Sequence, residues 1–231
     1  MKRDSSAKSK PKRREQQRAI DTRLAILRAA LSEFADKGFD AASIRTIAQA
    51  TGLKHQLITY HFPTKDILWK AVAQHVFTRL RELWEKQGPD DVAMPAIDRL
   101  REEYRAFFNI TLDYPDLHHF ILRETRPGSP RVAWLAENIL KPLLGRLLPQ
   151  IAAAQARGDL PPGDPVLLHY MIIGMTTVLS SLGPDIAATS GRIPDSPAIV
   201  ANYWTLLEVV ILNRKKYESH GQQAPRRLAR I

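Results

Sequence analysis

Cysteine is absent from the 231 residues. That excludes disulfides, thiolate metal ligation and thiol nucleophiles, and it fits a reducing cytoplasm. Glycine is sparse, with 11 residues, and nowhere forms a phosphate-cradling loop. Long apolar runs are missing as well. The most apolar stretch, Val166 to Leu182, is broken by His169, Gly174, Thr176 and Thr177, so it is too short and too polar to span a bilayer. No apolar segment follows the basic N-terminus, which argues against a secretory signal. Nothing alternates apolar and polar residues over four or more positions as a half-buried strand would. There is no internal repeat.

What is present is a chain with 44% apolar residues, enough to fill a real core, and a net charge of +10 that is unevenly spread. Residues 1–18 hold eight basic side chains against Asp4 and Glu15, and residues 214–231 hold six against Glu218. The stretch between is close to neutral. Two basic tails on a neutral body attract polyanions, of which nucleic acid is the commonest large one. The N-terminal 18 residues contain almost nothing apolar, and this composition predicts disorder there.

From Ile20 onward the pattern is helical. Ile20, Leu24, Leu27, Leu31 and Phe34 recur at steps of three and four, and Gly38 suits a left-handed cap. A short helix follows behind Ser43, with Ile44, Ile47 and Ala48 as its inner side and Gly52 as its stop. A second short segment spans Lys54 to Phe62, and Pro63-Thr64 leads into a helix reaching about Lys86. Later helices open at Pro95, Pro165 and Pro197, and a long one covers Arg131 to Ala156 with a kink expected at Pro142. The expected fold is all-α with about nine helices.

Residues 20–62 have the layout of a helix-turn-helix: two short helices, a tight glycine turn and a third helix behind. Ala48 is small where the helices must approach, and Leu53 and Ile58 fill the space beneath the second. Lys54, His55, Gln56, Thr59 and Tyr60 then fall on its outer side, where they can reach base edges and phosphates.

The run Ser43-Ile44-Arg45-Thr46-Ile47-Ala48-Gln49-Ala50-Thr51-Gly52-Leu53, followed by Leu57 to Leu68, resembles the DNA-binding region of the tetracycline-repressor (TetR-like) family. The resemblance covers about residues 20–72; beyond it, only the layout of the helical body is similar. It implies a homodimer whose body binds a small-molecule effector that lowers DNA affinity. It places Arg45 on the second helix toward DNA, Lys54, His55, Gln56 and Leu57 on the recognition helix, and Thr59, Tyr60 and His61 at its end. Lys65 resembles the family's phosphate-contacting lysine. Leu57 and Thr59 depart from the common pattern. Leu57 can instead be core, His61 a packed histidine, Lys65 a solvated lysine, and Arg45 a partner of Asp40.

The domains read as a basic arm (1–18), a helix-turn-helix (19–66), an effector-binding and dimerisation body (67–217) and a basic tail (218–231). Candidate effector contacts are Tyr104, Phe108, Thr111, His118, Trp134, Tyr170, Met171 and Met175, aromatic and apolar groups with a few polar ones; core packing is the alternative for each. On the last helices Leu168, Ile172, Met175, Val178 and Leu179, with Val200, Trp204, Leu207, Val209 and Ile211, form the expected dimer face. His118-His119 has no helical metal spacing around it, so no metal and no cofactor is expected. No nucleophile motif frames the Ser, His and Asp residues, which argues against an enzyme. The leading reading is a cytoplasmic repressor on double-stranded, palindromic operator DNA, without a membrane role. The alternatives are a helical binding module with a decayed DNA site and a ligand-dependent activator.

Overall fold

A computed structural model describes residues 9–86, 94–124 and 128–212. The C-terminal tail 218–231 lies outside the described residues. Among the described residues every regular element is a helix. Two compact units divide the chain: Met1–Thr78 with Asp116–Val132, and Arg79–Pro115 with Ala133–Ile231. The helix-turn-helix span 19–66 falls whole within the first unit.

The first unit holds α1 (Ser9–Ala41), α2 (Ile44–Thr51), α3 (His55–His61), most of α4 (Lys65–Lys86), α6 (Leu117–Glu124) and the start of α7 (Pro130–Leu135). Helix α1 begins at Ser9, so the disorder expected of residues 9–18 gives way to helix. Arg, Lys, Gln and Glu dominate that stretch and are good helix formers, and an existing helix extends more readily than one nucleates. Gly38, at φ 75°, bends α1 near its end. The core of this unit is Ile26, Leu27, Ala30, Leu31 and Phe34 of α1 with Ile47, Ile58, Phe62, Leu68, Trp69 and Phe120. Trp69 stacks on Phe120 at 5.2 Å, and Phe120 tilts against Phe34 at 6.4 Å.

In the second unit α5 (Ala96–Asp113) packs on α8 (Lys141–Ala156) and on α9 (Pro165–Thr176). Short helices α10 (Val178–Ser181) and α11 (Gly183–Ser190) precede α12 (Pro197–Leu207), which ends in a π-helical turn, Glu208–Leu212. Helix α11 occupies a stretch to which the sequence reading assigned no element. The kink expected at Pro142 takes the form of a π-helical turn, Ala136–Leu140, just before it. Proline lacks the N–H for residue 138 and its ring crowds that carbonyl; a widened turn relieves both.

The second unit is unusual in what it buries. Glu103 is 1% exposed and receives Arg146 at 3.0 Å and Gln150 at 3.1 Å. Burial pushes its carboxyl above the ordinary range, although Gln150 and Arg146 oppose the shift. Tyr104 and His169 meet at 2.9 Å, oxygen to Nδ1. Burial lowers His169 to about 4 and raises Tyr104, so a neutral phenol meets a neutral imidazole, and the imidazole tautomer sets which of the two donates.

Candidate nucleic-acid interface

The interface is assembled from α1 outward. Glu33, buried on α1, is held by Lys37 at 2.9 Å and accepts the backbone N–H of Ser43 at 3.0 Å. Ser43 then caps α2, its hydroxyl accepting from the N–H of Arg45 at 3.2 Å. A carboxylate one helix away therefore fixes where α2 starts. Gly52, at φ 68°, stops α2 in the left-handed region, and Leu53 returns its N–H to the carbonyl of Ala48 at 3.1 Å. An L-residue there would crowd its own carbonyl, which is why glycine belongs at this turn.

Helix α3 is seven residues long and buries only Ile58. Lys54, His55, Gln56 and Leu57 are exposed, and Tyr60 is 79% exposed, more than any other large apolar or aromatic side chain described. Leu57 therefore lies at the surface and not in the core. Thr59 and His61 are half-buried. The Thr59 hydroxyl donates back to the Gln56 carbonyl at 3.1 Å, and the His61 ring sits edge-on to Tyr60 at 5.5 Å. One apolar peg with polar groups around it is a helix mounted to present its outer side.

Arg45 is exposed on α2, clear of the core. Lys65 is placed differently from a free phosphate ligand. Its ammonium donates to the carbonyls of Asp40 at 3.0 Å and Ala42 at 3.1 Å, and lies 4.8 Å from the Phe39 ring centroid. It thus ties the start of α4 to the end of α1. Arg131 approaches the same ring at 3.9 Å and is held at 2.8 Å by the buried carboxylate of Glu124. Arg123 donates to the carbonyl of Ala35 at 3.2 Å and to that of Asp36. Sequence reasoning missed Phe39, Arg123, Glu124 and Arg131. Arg123 reaches Ala35 across 88 residues of chain and Arg131 reaches Phe39 from an equally distant part of it, while Arg131 and Glu124 stand only seven residues apart.

The eight effector candidates do not converge. His118 is in the first unit, and burial, with a smaller push from His119, lowers its pKa. Tyr104, Phe108 and Thr111 are core, the Thr111 hydroxyl donating to the carbonyls of Phe108 and Thr176. Trp134 is half-buried in the second unit. Met175 gives its carbonyl to the Tyr203 hydroxyl at 2.6 Å, and Tyr203 stacks on Phe108 at 6.0 Å. Four of the eight, Tyr104, Phe108, Thr111 and Met175, are thereby grouped along α5, α9 and α12. Trp204, which packs on Phe108 at 5.5 Å, is buried, and its indole N–H has no hydrogen-bond partner among the described residues. A separate apolar cleft of about 310 Å³ is lined by Leu112, Leu179, Pro184 and Pro194 among others, and by none of the eight.

Tyr170 and Met171 are exposed on α9 beside Leu167, and Leu206 and Val210 are exposed on the last helix. The expected dimer face is corrected here. Leu168, Ile172, Leu179, Trp204, Leu207 and Ile211 are buried within the unit, and the neighbouring side of each helix is the one left open.

Residues 26–72 match the family model of bacterial regulatory proteins, tetR family. The chain is 29% identical over 170 residues to the HTH-type transcriptional regulator RutR of Escherichia coli K12, covering 72% of this chain and 77% of RutR. It is 44% identical over 75 residues to the HTH-type transcriptional repressor Rv3405c of Mycobacterium tuberculosis H37Rv, covering 32% of this chain and 40% of that one. The structure of AibR in complex with isovaleryl coenzyme A and operator DNA has the same fold, with a TM-score of 0.61, 18% identity, and coverage of 83% of this chain and 99% of that one.

Proposed function

The chain is a DNA-binding transcriptional regulator of the TetR family, and from that premise we propose that it is a homodimeric repressor released from its operator by a small molecule. The observation that carries the reading is the outer side of α3, where Lys54, His55, Gln56, Leu57 and Tyr60 stand exposed around a single buried isoleucine. Gln56 has the geometry to read adenine, Lys54 to read guanine or pair with a phosphate, and Leu57 to touch a thymine methyl. Thr59, Tyr60 and His61 face the backbone at the helix end, and Arg45 reaches DNA from α2. Lys65 adds a phosphate contact only if its ammonium shares protons between DNA and the carbonyls it already holds.

Dimerisation is supported by Leu167, Tyr170 and Met171 on α9 with Leu206 and Val210 after α12, apolar groups that a monomer leaves in water. Gly174 lies exposed on the same side of α9, with nothing within 4 Å of where a Cβ would stand. A two-fold pairing through these helices supplies two copies of α3, one for each half of a palindromic site. The effector site is proposed along α5, α9 and α12, around Tyr104, Phe108, Thr111 and Met175. Trp204 supplies a buried donor there that an acceptor atom of a ligand would satisfy. AibR binds isovaleryl coenzyme A and operator DNA; the same division of labour is assigned to this chain, with an effector of its own. No helix of the described residues is long and apolar enough to cross a membrane, and the reading places the protein in the cytoplasm, without an enzymatic role. The test is a gel shift on the DNA flanking its own coding region, repeated with candidate effectors. A retarded complex that an effector dissolves supports the reading. A complex that forms only with effector makes the protein an activator-type binder. No complex in either condition refutes it.

A further inference from the structure

The basic extension of α1 is not used by the site above. Helix α1 starts at Ser9, and Arg13, Arg14 and Arg18 are exposed on it. Lys10, Arg14 and Arg18 recur every four residues, so their positions share one row along the helix. Of the two acids nearby, Asp21 accepts a hydrogen bond from Gln17 at 2.9 Å and Glu15 stands among the arginines. Arg23 fixes where this extension leaves the domain. Its guanidinium lies 4.5 Å from the ring centroid of Phe62, the residue that caps the end of α3. From Arg23 back to Ser9 the helix covers roughly 21 Å at about 1.5 Å per residue. The extension therefore leaves the domain beside the C-terminal end of α3.

We propose that the helical extension 9–18 is a second DNA contact, sequence-independent, in which Arg13, Arg14 and Arg18 pair with backbone phosphates flanking the groove that α3 enters. The proposal rests on the reading of α3 as the DNA-facing helix. Residues 9–19 contain no large apolar side chain, so the extension lacks the face that an interfacial membrane helix buries. Its backbone is helical, so the three arginines are already set along one rod. Phosphate contacts of this kind release counterions and act on all sequences alike.

The experiment compares the full chain with a variant carrying Arg13→Gln, Arg14→Gln and Arg18→Gln, glutamine being a helix former that keeps the extension intact. Anisotropy titrations use a random-sequence duplex of about 30 base pairs, between about 50 and 300 mM salt. The slope of log K against log salt should become shallower by about two to three, and affinity at about 100 mM salt should fall at least tenfold. The fragment flanking the coding region should lose affinity by the same factor. An unchanged slope on the random duplex overturns the proposal, as does a loss confined to the flanking fragment. Loss of binding to phosphatidylserine vesicles with duplex binding untouched overturns it too. If the unmodified chain does not prefer the flanking fragment over the random duplex, the reading of α3 fails, while the slope on the random duplex still decides the extension.

Discussion

In the first unit the exposed side of α3 is made of lysine, histidine, glutamine and tyrosine with one leucine, and the buried side is a single isoleucine. In the second unit α9 and the last helix expose Leu167, Tyr170, Met171, Leu206 and Val210, beside the polar Asn202 and Thr205, while Glu103, Thr111, His169, Thr176 and Thr177 are buried. Polar groups at the surface are free to recognise a polyanion. Apolar groups at the surface with polar groups inside are the arrangement of a body that gains by association and holds something within.

The strongest way to break this comparison is to place a charge on the apolar faces. Leu206→Glu should weaken self-association at least a hundredfold, about 2.7 kcal/mol, because two-fold symmetry introduces the charge twice. Light scattering at micromolar concentration should read a monomer. A dimer that persists would put the interface elsewhere.

The buried polar interior can be probed by pH. His169 titrates at about 4 in the folded chain and near 6.5 unfolded. The unfolded state therefore takes up the proton first, and stability present above pH 6.5 is lost as pH falls toward 4. The loss is about 3 kcal/mol, read by urea unfolding at a series of pH values. His169→Gln should flatten that window. A profile equally steep in the variant would assign the acid sensitivity to other groups.

A smaller effect is expected at Lys65. Lys65→Met removes two hydrogen bonds to carbonyls and a cation beside Phe39, so the melting temperature should drop by the equivalent of about 1–2 kcal/mol. If Lys65 were only a phosphate ligand, stability would be unchanged and DNA affinity alone would fall. Gly52→Ala should cost about 1–2 kcal/mol through its left-handed backbone, without altering the outer face of α3.

The contrast also explains what could be read from the sequence. Around α2 and α3 the chemistry is local: Ser43 caps, Gly52 turns, and polar residues separate from Ile47, Ala48 and Ile58 at helical spacing, so the motif and its outward residues were visible in the chain. Helix α9 is apolar on nearly every side, as Val166, Leu167, Leu168, Met171, Ile172, Ile173 and Met175 show. Periodicity then carries no information about which side faces out, and six of the residues expected on a dimer face, Leu168, Ile172, Leu179, Trp204, Leu207 and Ile211, are buried within the unit. Charge composition alone suggested a disordered arm, yet residues with good helix propensity joined onto an established helix. The contact of Arg131 with the Phe39 ring and the hold of Lys65 on two carbonyls arise from the chain's return in three dimensions, which no local spacing encodes.

The central claim is that the outer face of α3 reads DNA while its inner face only mounts it. Its most direct test measures affinity for the flanking fragment in a Gln56→Ala, Tyr60→Ala variant. Circular dichroism and the melting temperature confirm the fold alongside. Both side chains are exposed, so stability should stay within about 0.5 kcal/mol. Specific affinity should fall at least a hundredfold, toward the level of random duplex. Unchanged specific binding by a normally folded variant would contradict the account.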